Sequence, residues 1–401
     1  MLKKNILLFT TIYPAADLKY GTSAVHYFTR EWVKMGYDVK VIHYQVVYSS
    51  VFYFIAKLFR ELIASKTGSI VFVNKEKGDK HYTIDGVSVD RYPIFKRIPR
   101  GRFSQKVIHE QIDKIIKKNK EDNFVPEIII GHFSNPQLKI VSTLKKFYSA
   151  RSCMIMHDNG DSIKQIYKTD YKDLMENIDV WGYRSIPIQK GFENNFGKEK
   201  KSFLCYSGIP EKYISQTNDR NFNDELKSFI FVGSLIKLKN VNSLVKALAQ
   251  TYPQKNFKLS IIGEGDEKKE IEKLIEKLDI KLCVKFYGNI VRDDVQKEFE
   301  KSDCFIMISK PEAFGLVYLE AMSRGCITIG SKNQGIDGVI QNGKNGFLCE
   351  SGNENELADI ITHINSLTAL ERKNISQNAI ETTKELTDYK TAYKYISSVC
   401  N

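Results

Sequence analysis

Ser309-Lys310-Pro311-Glu312-Ala313-Phe314-Gly315-Leu316-Val317-Tyr318-Leu319-Glu320-Ala321-Met322-Ser323-Arg324-Gly325 is the segment on which the reading of this chain turns. The apolar run Cys304 to Ile308 leads into it as a buried strand, a turn carries Glu312, and a helix starts near Gly315 and stops at Gly325, a residue suited to a helix C-terminus. The start of such a helix offers free N–H groups and the positive end of the dipole, and Gly315 lets a ligand come close to the backbone. Strand, turn and helix together therefore make a phosphate site. Glu320 falls about one and a half turns into the helix, on the strand-end side, where a carboxylate can accept hydrogen bonds from a ribose diol. Taken alone, Glu312 and Glu320 read as ordinary solvated glutamates; the strand, glycine and helix around them give them chemistry.

The same alternation fills the second half. Phe229–Val232, Leu259–Ile262, Val284–Tyr287 and Cys304–Ile308 read as strands, and helices are expected near 238–250, 266–278, 293–301 and 315–324. This βα repetition implies a parallel sheet. The first half repeats it less regularly, with strands expected at 5–10, 38–43, 127–131, 152–156, 178–183 and 202–206, and the Asp85-Gly86 pair between apolar alternations predicts a hairpin. The fold class is α/β, two doubly wound Rossmann-like domains facing across a cleft, since ligands of such sheets sit at the carboxyl ends of the strands. The boundaries expected are 1–210, 211–385 and a final helix over 386–401 that returns to pack on the first domain and couple the two for closure.

Composition narrows the class. The chain has 401 residues and 42% hydrophobic content, enough for a buried core in each domain, which excludes disorder and collagen-like repetition. Its seven cysteines never form a Cys-x-x-Cys pair and lie too far apart for a zinc knuckle or disulfide framework, which points to a reduced, cytoplasmic compartment. Ile6 to Phe9 is too short for a signal-peptide core or a membrane span and is read as the first buried strand. Residues 1–210 hold 34 Lys+Arg against 21 Asp+Glu, a balance of +13, whereas residues 211–401 hold 26 against 27, a balance of −1. The first domain is therefore the one expected to meet an anionic partner.

Phe231-Val232-Gly233-Ser234-Leu235-Ile236-Lys237-Leu238-Lys239-Asn240 is a second strand running through glycine into a helix, where Lys239 can reach a phosphate as a point charge or lie idle on the surface. Together with Ile262-Gly263-Glu264-Gly265, Phe286-Tyr287-Gly288, Asp303-Cys304-Phe305, the Glu312 and Glu320 pair, and Gly335-Ile336 through Asn342-Gly343-Lys344-Asn345-Gly346-Phe347, it resembles the retaining glycosyltransferases of family 4, which have the GT-B fold. The resemblance covers nearly the whole chain and is strongest from Phe231 to Glu350.

That resemblance implies a hexosyltransferase that takes its sugar from a UDP- or GDP-sugar and delivers it to a glycan or polyprenyl-linked acceptor, in the synthesis of a surface polysaccharide, capsule, lipopolysaccharide or related glycoconjugate. It implies that Glu320 holds the ribose, that Glu312 contacts the donor sugar near the anomeric carbon, and that backbone amides around Phe314, Gly315, Leu316 and Val317 receive the diphosphate or sugar. The family places an arginine directly after the first-strand glycine, Gly233, and a lysine five further on. Here Ser234 takes the first place and Lys239 the second, so half of the cationic clamp is missing and Lys237 or another base is expected to compensate. No Asp-x-Asp motif occurs, so stabilisation of the leaving group by protein groups, with no metal and no further cofactor, is the consistent reading.

On the acceptor side, Pro126-Glu127-Ile128-Ile129-Ile130-Gly131-His132-Phe133 ends a strand with a histidine expected to point into the cleft, similar to the family's inter-domain histidine. A structural hydrogen bond is the other reading of His132. His157, in Met156-His157-Asp158-Asn159, also ends a strand and is expected to pack its loop or shape the acceptor site. The family's glycine loop after the first strand is reduced to Tyr20-Gly21-Thr22, where Gly21 either admits the donor phosphate or serves as a turn glycine.

Residues 46–64 form an aromatic-rich, helix-length segment, and Lys96, Arg97, Arg100, Arg102 and Lys106 cluster within 96–106. The pair either docks the first domain on an anionic membrane face, making the protein peripheral on the inner side of the cell membrane, or is a core helix beside a solvated basic loop. Two other functions compete with transfer: a sugar-nucleotide epimerase of the same fold, and a basic nucleic-acid-binding protein. The second is disfavoured because the basic residues are dispersed and no nucleic-acid motif interleaves aromatics with them.

Overall fold

The structure, a computed structural model, describes residues 4–16, 23–59, 78–98, 101–199, 201–222 and 224–401. It divides into two compact units, one taking the described residues up to Ser207 together with Asp388–Asn401, the other Gly208–Thr387.

In the first unit the strands are β1 (Asn5–Thr10), β2 (Asp38–Val47), β3 (Lys80–Ile84), β4 (Val87–Phe95), β5 (Ile128–His132), β6 (Arg151–Met156), β7 (Val180–Tyr183) and β8 (Ser202–Leu204), in the order β3-β4-β2-β1-β5-β6-β7-β8. All neighbours pair parallel except β3 and β4, the hairpin at Asp85-Gly86 that the sequence predicts. Helices α1 (His26–Lys34), α2 (Ser50–Leu58), α3 (Gln105–Glu121), α4 (Gln137–Tyr148), α5 (Asp161–Tyr167), α6 (Tyr171–Glu176) and α7 (Ile186–Phe196) follow or connect the strands. Because the sheet is covered on both faces, its central strands are apolar throughout: Leu7 and Phe9 enter one core, Ile6 and Leu8 the other.

The second unit holds β9 (Ser228–Val232), β10 (Lys258–Ile262), β11 (Val284–Gly288), β12 (Cys304–Ile306), β13 (Ile327–Ser331) and β14 (Phe347–Cys349), all parallel, in the order β11-β10-β9-β12-β13-β14. Its helices are α8 (Val241–Thr251), α9 (Lys268–Lys277), α10 (Arg292–Lys301), α11 (Leu316–Ser323), α12 (Glu354–Ser366) and α13 (Ala369–Lys384). The last helix, α14 (Asp388–Cys400), belongs to the first unit, where the Trp32 indole N–H donates to the Ala392 carbonyl at 2.9 Å and Tyr395 meets the Phe28 and Trp32 rings edge-on.

The order of each sheet reverses direction once, between β9 and β12 in the second unit and between β1 and β5 in the first. Loops leaving the carboxyl ends of those neighbours diverge to opposite sides and leave a crevice. Four local readings are revised. Strands β13 and β14 are not anticipated from the sequence, although Ile327-Thr328-Ile329 after the Gly325 cap carries the β-branched signal. The helix expected from 238 begins at Val241, after a 3-10 turn over Lys237–Lys239. Strand β12 ends at Ile306, two residues short of the apolar run. Finally, Val46-Val47 of the aromatic segment close β2, and α2 starts after Ser49, whose hydroxyl caps it by accepting from the Phe52 amide at 3.2 Å; residues 60–64 and Arg100 lie outside the described residues.

Candidate functional site

The loops after β9 and β12, the two strands at the reversal of the second sheet, meet side by side. The Lys310 amide donates to the Leu238 carbonyl at 2.9 Å, and the Asn240 side-chain amide donates to the Ile308 carbonyl at 2.7 Å, so the 3-10 turn and the strand-end loop are tied through their backbones. That tie brings Lys239 to Glu312: the ammonium donates to Glu312 Oε2 at 2.5 Å, and the Ser309 hydroxyl adds a longer contact at 3.4 Å. Both side chains are mostly enclosed, at 20% and 15% exposure, so the pair is screened less than a surface ion pair.

A third loop fixes the height of Glu312. Its amide donates to Gln334 Oε1 at 3.0 Å, and its carbonyl accepts from the Gly335 amide at 2.8 Å. Gly335 is needed for close approach: a Cβ there would lie 2.2 Å from the Phe314 nitrogen and 2.3 Å from the Ala313 carbonyl carbon. Gly315 is needed for its backbone, at φ +79°, and a Cβ on it would fall 2.5 Å from the Tyr318 ring. Tyr318 is itself pinned, since its hydroxyl donates to the Met307 carbonyl at 2.6 Å. Leu316 opens α11 directly after Gly315, so the amides of Leu316 and Val317 point out of the helix with no intrahelical carbonyl to receive them. Phe314, by contrast, is a buried anchor.

Glu320 projects from α11, is buried, and accepts a close ion pair from Arg292, the first residue of α10. Arg292 also lies over the Tyr213 ring at 5.2 Å. Each of the two carboxylates singled out by the sequence is thus already matched with one cation, Glu312 with Lys239 and Glu320 with Arg292. Sequence reasoning missed Arg292, at the start of α10, and Gln334, in the loop after β13, which lie 28 and 22 positions from their partners, and only the fold shows those contacts. Gly233 follows β9 directly as expected, its amide donating to the Ile262 carbonyl at 2.9 Å, and Ser234 after it is exposed. Lys237 is exposed on the 3-10 turn and has no ion pair among the described residues. Gly21 lies outside the described residues.

The first unit ties its two strand-end histidines together. His132 does not present its side chain: the residue is completely buried, with Nδ1 at 3.0 Å from His157 Nε2 and Nε2 at 3.3 Å from the Tyr395 hydroxyl. The strand end points inward because α14 covers that face. His157, one strand over, is half-buried and reaches the surface beside Phe133, on which it stacks at 3.9 Å. Phe133 holds a left-handed backbone, φ +69°, uncommon for an aromatic residue. Burial, aided by the Arg184 charge, pushes the His132 imidazole down to about 3, and burial with His132 and Arg184 as neighbours holds His157 well below the ordinary histidine range. Both rings are neutral near pH 7.

Comparison with known proteins places this geometry. Residues 214–382 match the family model described as Glycosyl transferases group 1. N-acetyl-alpha-D-glucosaminyl L-malate synthase of Bacillus anthracis is 34% identical over 174 residues, 42% of this chain and 45% of that protein, so the match spans less than half of the relative's length. Two solved structures are similar over almost the entire chain: sucrose-phosphate synthase from Thermosynechococcus elongatus, with TM-score 0.69 and 16% identity over 99% of this chain and 98% of that one, and Anabaena HepE in complex with UDP, with TM-score 0.69 and 17% identity over 99% of each. The fold so defined is GT-B. Within it, residues 214–382 carry the similarity to Glycosyl transferases group 1.

The contact of Gly335 with residues 313–314 sets the position of Glu312. Gly335→Ala is expected to cost about 1–3 kcal/mol, the range for overpacking, and to appear as a lowered melting temperature. An unchanged melt would show that the two loops do not constrain each other.

Proposed function

We propose that this chain is a retaining glycosyltransferase that moves a hexose-type sugar from a nucleoside-diphosphate sugar to a glycan or lipid-linked acceptor in the synthesis of a surface polysaccharide or glycoconjugate. The observation that carries the reading is the convergence of Lys239, Glu312 and the start of α11 at the reversal of the second sheet. A diphosphate leaving group gathers negative charge as its bond to the anomeric carbon breaks, and a helix start with a nearby ammonium stabilises that charge. Lys239 changes partner in this scheme, from the Glu312 carboxylate to the donor phosphate, which frees Glu312 to contact the sugar. Lys237, exposed and without an ion pair among the described residues, stands in for the arginine that Ser234 replaces. Glu320, held by Arg292, accepts from the ribose hydroxyls. The UDP bound by Anabaena HepE supports a uridine donor.

The acceptor is read as lipid-linked from the first unit's surface. Val51, Phe54 and Leu58 on α2, with Phe59 directly after it and Ile98 next to the basic residues, are each more than half exposed, and Lys57, Lys96, Arg97 and Arg102 add the positive charge that an anionic bilayer attracts. Among the described residues no helix is long and apolar enough to cross a membrane. Such a surface fits lipid headgroups lying against one face.

Two experiments test these readings. With a productive donor and acceptor, Glu320→Ala is expected to weaken nucleotide binding about 10- to 100-fold, the value of one charged hydrogen bond, whereas Glu312→Ala is expected to lower kcat about 100-fold with little change in nucleotide affinity. Native kinetics in both variants would overturn the site assignment. Co-sedimentation with vesicles is expected to require anionic lipid and to be lost in Phe54→Asp; equal recovery with neutral vesicles, or none with either, would remove the lipid surface.

A further inference from the structure

The buried side chains of Tyr395 and His132 and the half-buried His157 form a line of hydrogen bonds that leads from the last helix to the end of β6. The hydroxyl of Tyr395 lies 3.3 Å from His132 Nε2, and His132 Nδ1 lies 3.0 Å from His157 Nε2. The Tyr395 ring is fixed by Phe28, Trp32 and Phe203, all within 5.3 Å between centroids, and its phenol stays protonated because burial pushes its ionisation well up.

Proton bookkeeping along this line has one satisfied solution. The phenol hydrogen needs an acceptor, and among the described residues the only one within reach is His132 Nε2. If Tyr395 donates there, Nε2 of His132 carries no hydrogen, so the hydrogen of that neutral ring is on Nδ1 and is donated to His157 Nε2. Nε2 of His157 is then an acceptor, and its own hydrogen is on Nδ1. The reverse direction, His157 donating to His132 and His132 donating to the phenol oxygen, leaves a buried hydroxyl hydrogen with no acceptor, which native structures avoid.

We propose that Tyr395 and His132 are positioning residues that lock His157 in the Nδ1–H tautomer, so that this ring offers a fixed hydrogen-bond donor at the carboxyl end of β6 rather than a base. Two observations support the assignment independently of the proton count. Nδ1 of His157 has no partner among the described residues, while the ring is held in one orientation by stacking on Phe133, whose left-handed backbone keeps it there. The carboxyl end of a parallel strand is also where a ligand of this unit is received. The ligand recognised is a hydroxylated one, a sugar hydroxyl of the acceptor, which accepts from the N–H. The chemical role rests on the transferase reading; the tautomer does not.

The test uses the full chain with isotope-labelled histidine, reading the protonation of each ring nitrogen by NMR. In the native protein His157 is expected to show a protonated Nδ1 and an unprotonated Nε2. Tyr395→Phe keeps the ring and its packing but removes the donor that fixes the direction, so neither direction is fully satisfied and His157 is expected to show a mixture of Nδ1–H and Nε2–H in place of the single form. An Nε2–H His157 in the native protein, or an unchanged tautomer in Tyr395→Phe, would overturn the proposal. In transfer assays the same variant is expected to lower kcat in proportion to the share of Nε2–H His157, the wrong tautomer, with an unaltered Kd for the nucleotide and an unaltered circular dichroism spectrum. A tautomer mixture with no change in kcat would refute the functional part. Absence of transfer by the native protein, with the tautomer as expected, would count against the transferase reading and leave the lock standing.

Discussion

The interlock of three backbone loops at one end of the second sheet is the constraint on which the site depends. A parallel sheet delivers all its strand-end loops to one edge, and the reversal between β9 and β12 makes two of them neighbours. What turns proximity into geometry is close backbone contact: Lys310 to Leu238, Gly335 to Glu312, and the approach of Gly335 to Ala313 and Phe314 that no Cβ could share. Glu312 is therefore placed by peptide groups rather than by its own rotamer. In the proposed reaction Lys239, a flexible side chain, only has to swing between Glu312 and the donor phosphate.

Charge matching follows from that rigidity. A carboxylate held in a mostly enclosed crevice without a cation would be costly, and both Glu312 and Glu320 have one. The two pairs are unlike in kind. Arg292 is confined between Glu320 and the Tyr213 ring and orients its carboxylate, whereas Lys239 ends a single turn of 3-10 helix and can leave. The first unit solves a similar problem without charge: its buried imidazoles stay neutral, and position comes from the hydrogen bonds between them.

Much of this was legible in the sequence because it is written locally. The βα alternation, the Asp85-Gly86 hairpin and the Glu312 to Gly325 strand-turn-helix each depend on residues within one or two turns of one another. The parts that were not legible depend on distant partners. Strand β14 spans three residues after a turn-rich stretch, too short to show a period. Arg292 faces Glu320 only because α10 and α11 lie together. The partners of His132 were not legible because both faces of a central parallel strand are apolar, so alternation does not say which side a terminal residue takes; one of them, Tyr395, comes 263 residues later. Ser234 was a visible departure from the family pattern, and Lys237, proposed above in its stead, is exposed on the 3-10 turn that follows.

The central claim, that the second unit holds a nucleoside diphosphate at the start of α11, is tested most directly by calorimetric titration and thermal shift of the native chain with UDP, GDP, ADP and CMP. The account predicts saturable binding of one nucleoside diphosphate in preference to the others, with stabilisation of about 2.7 kcal/mol at one hundred times its dissociation constant. A folded protein that binds none of the four would contradict it.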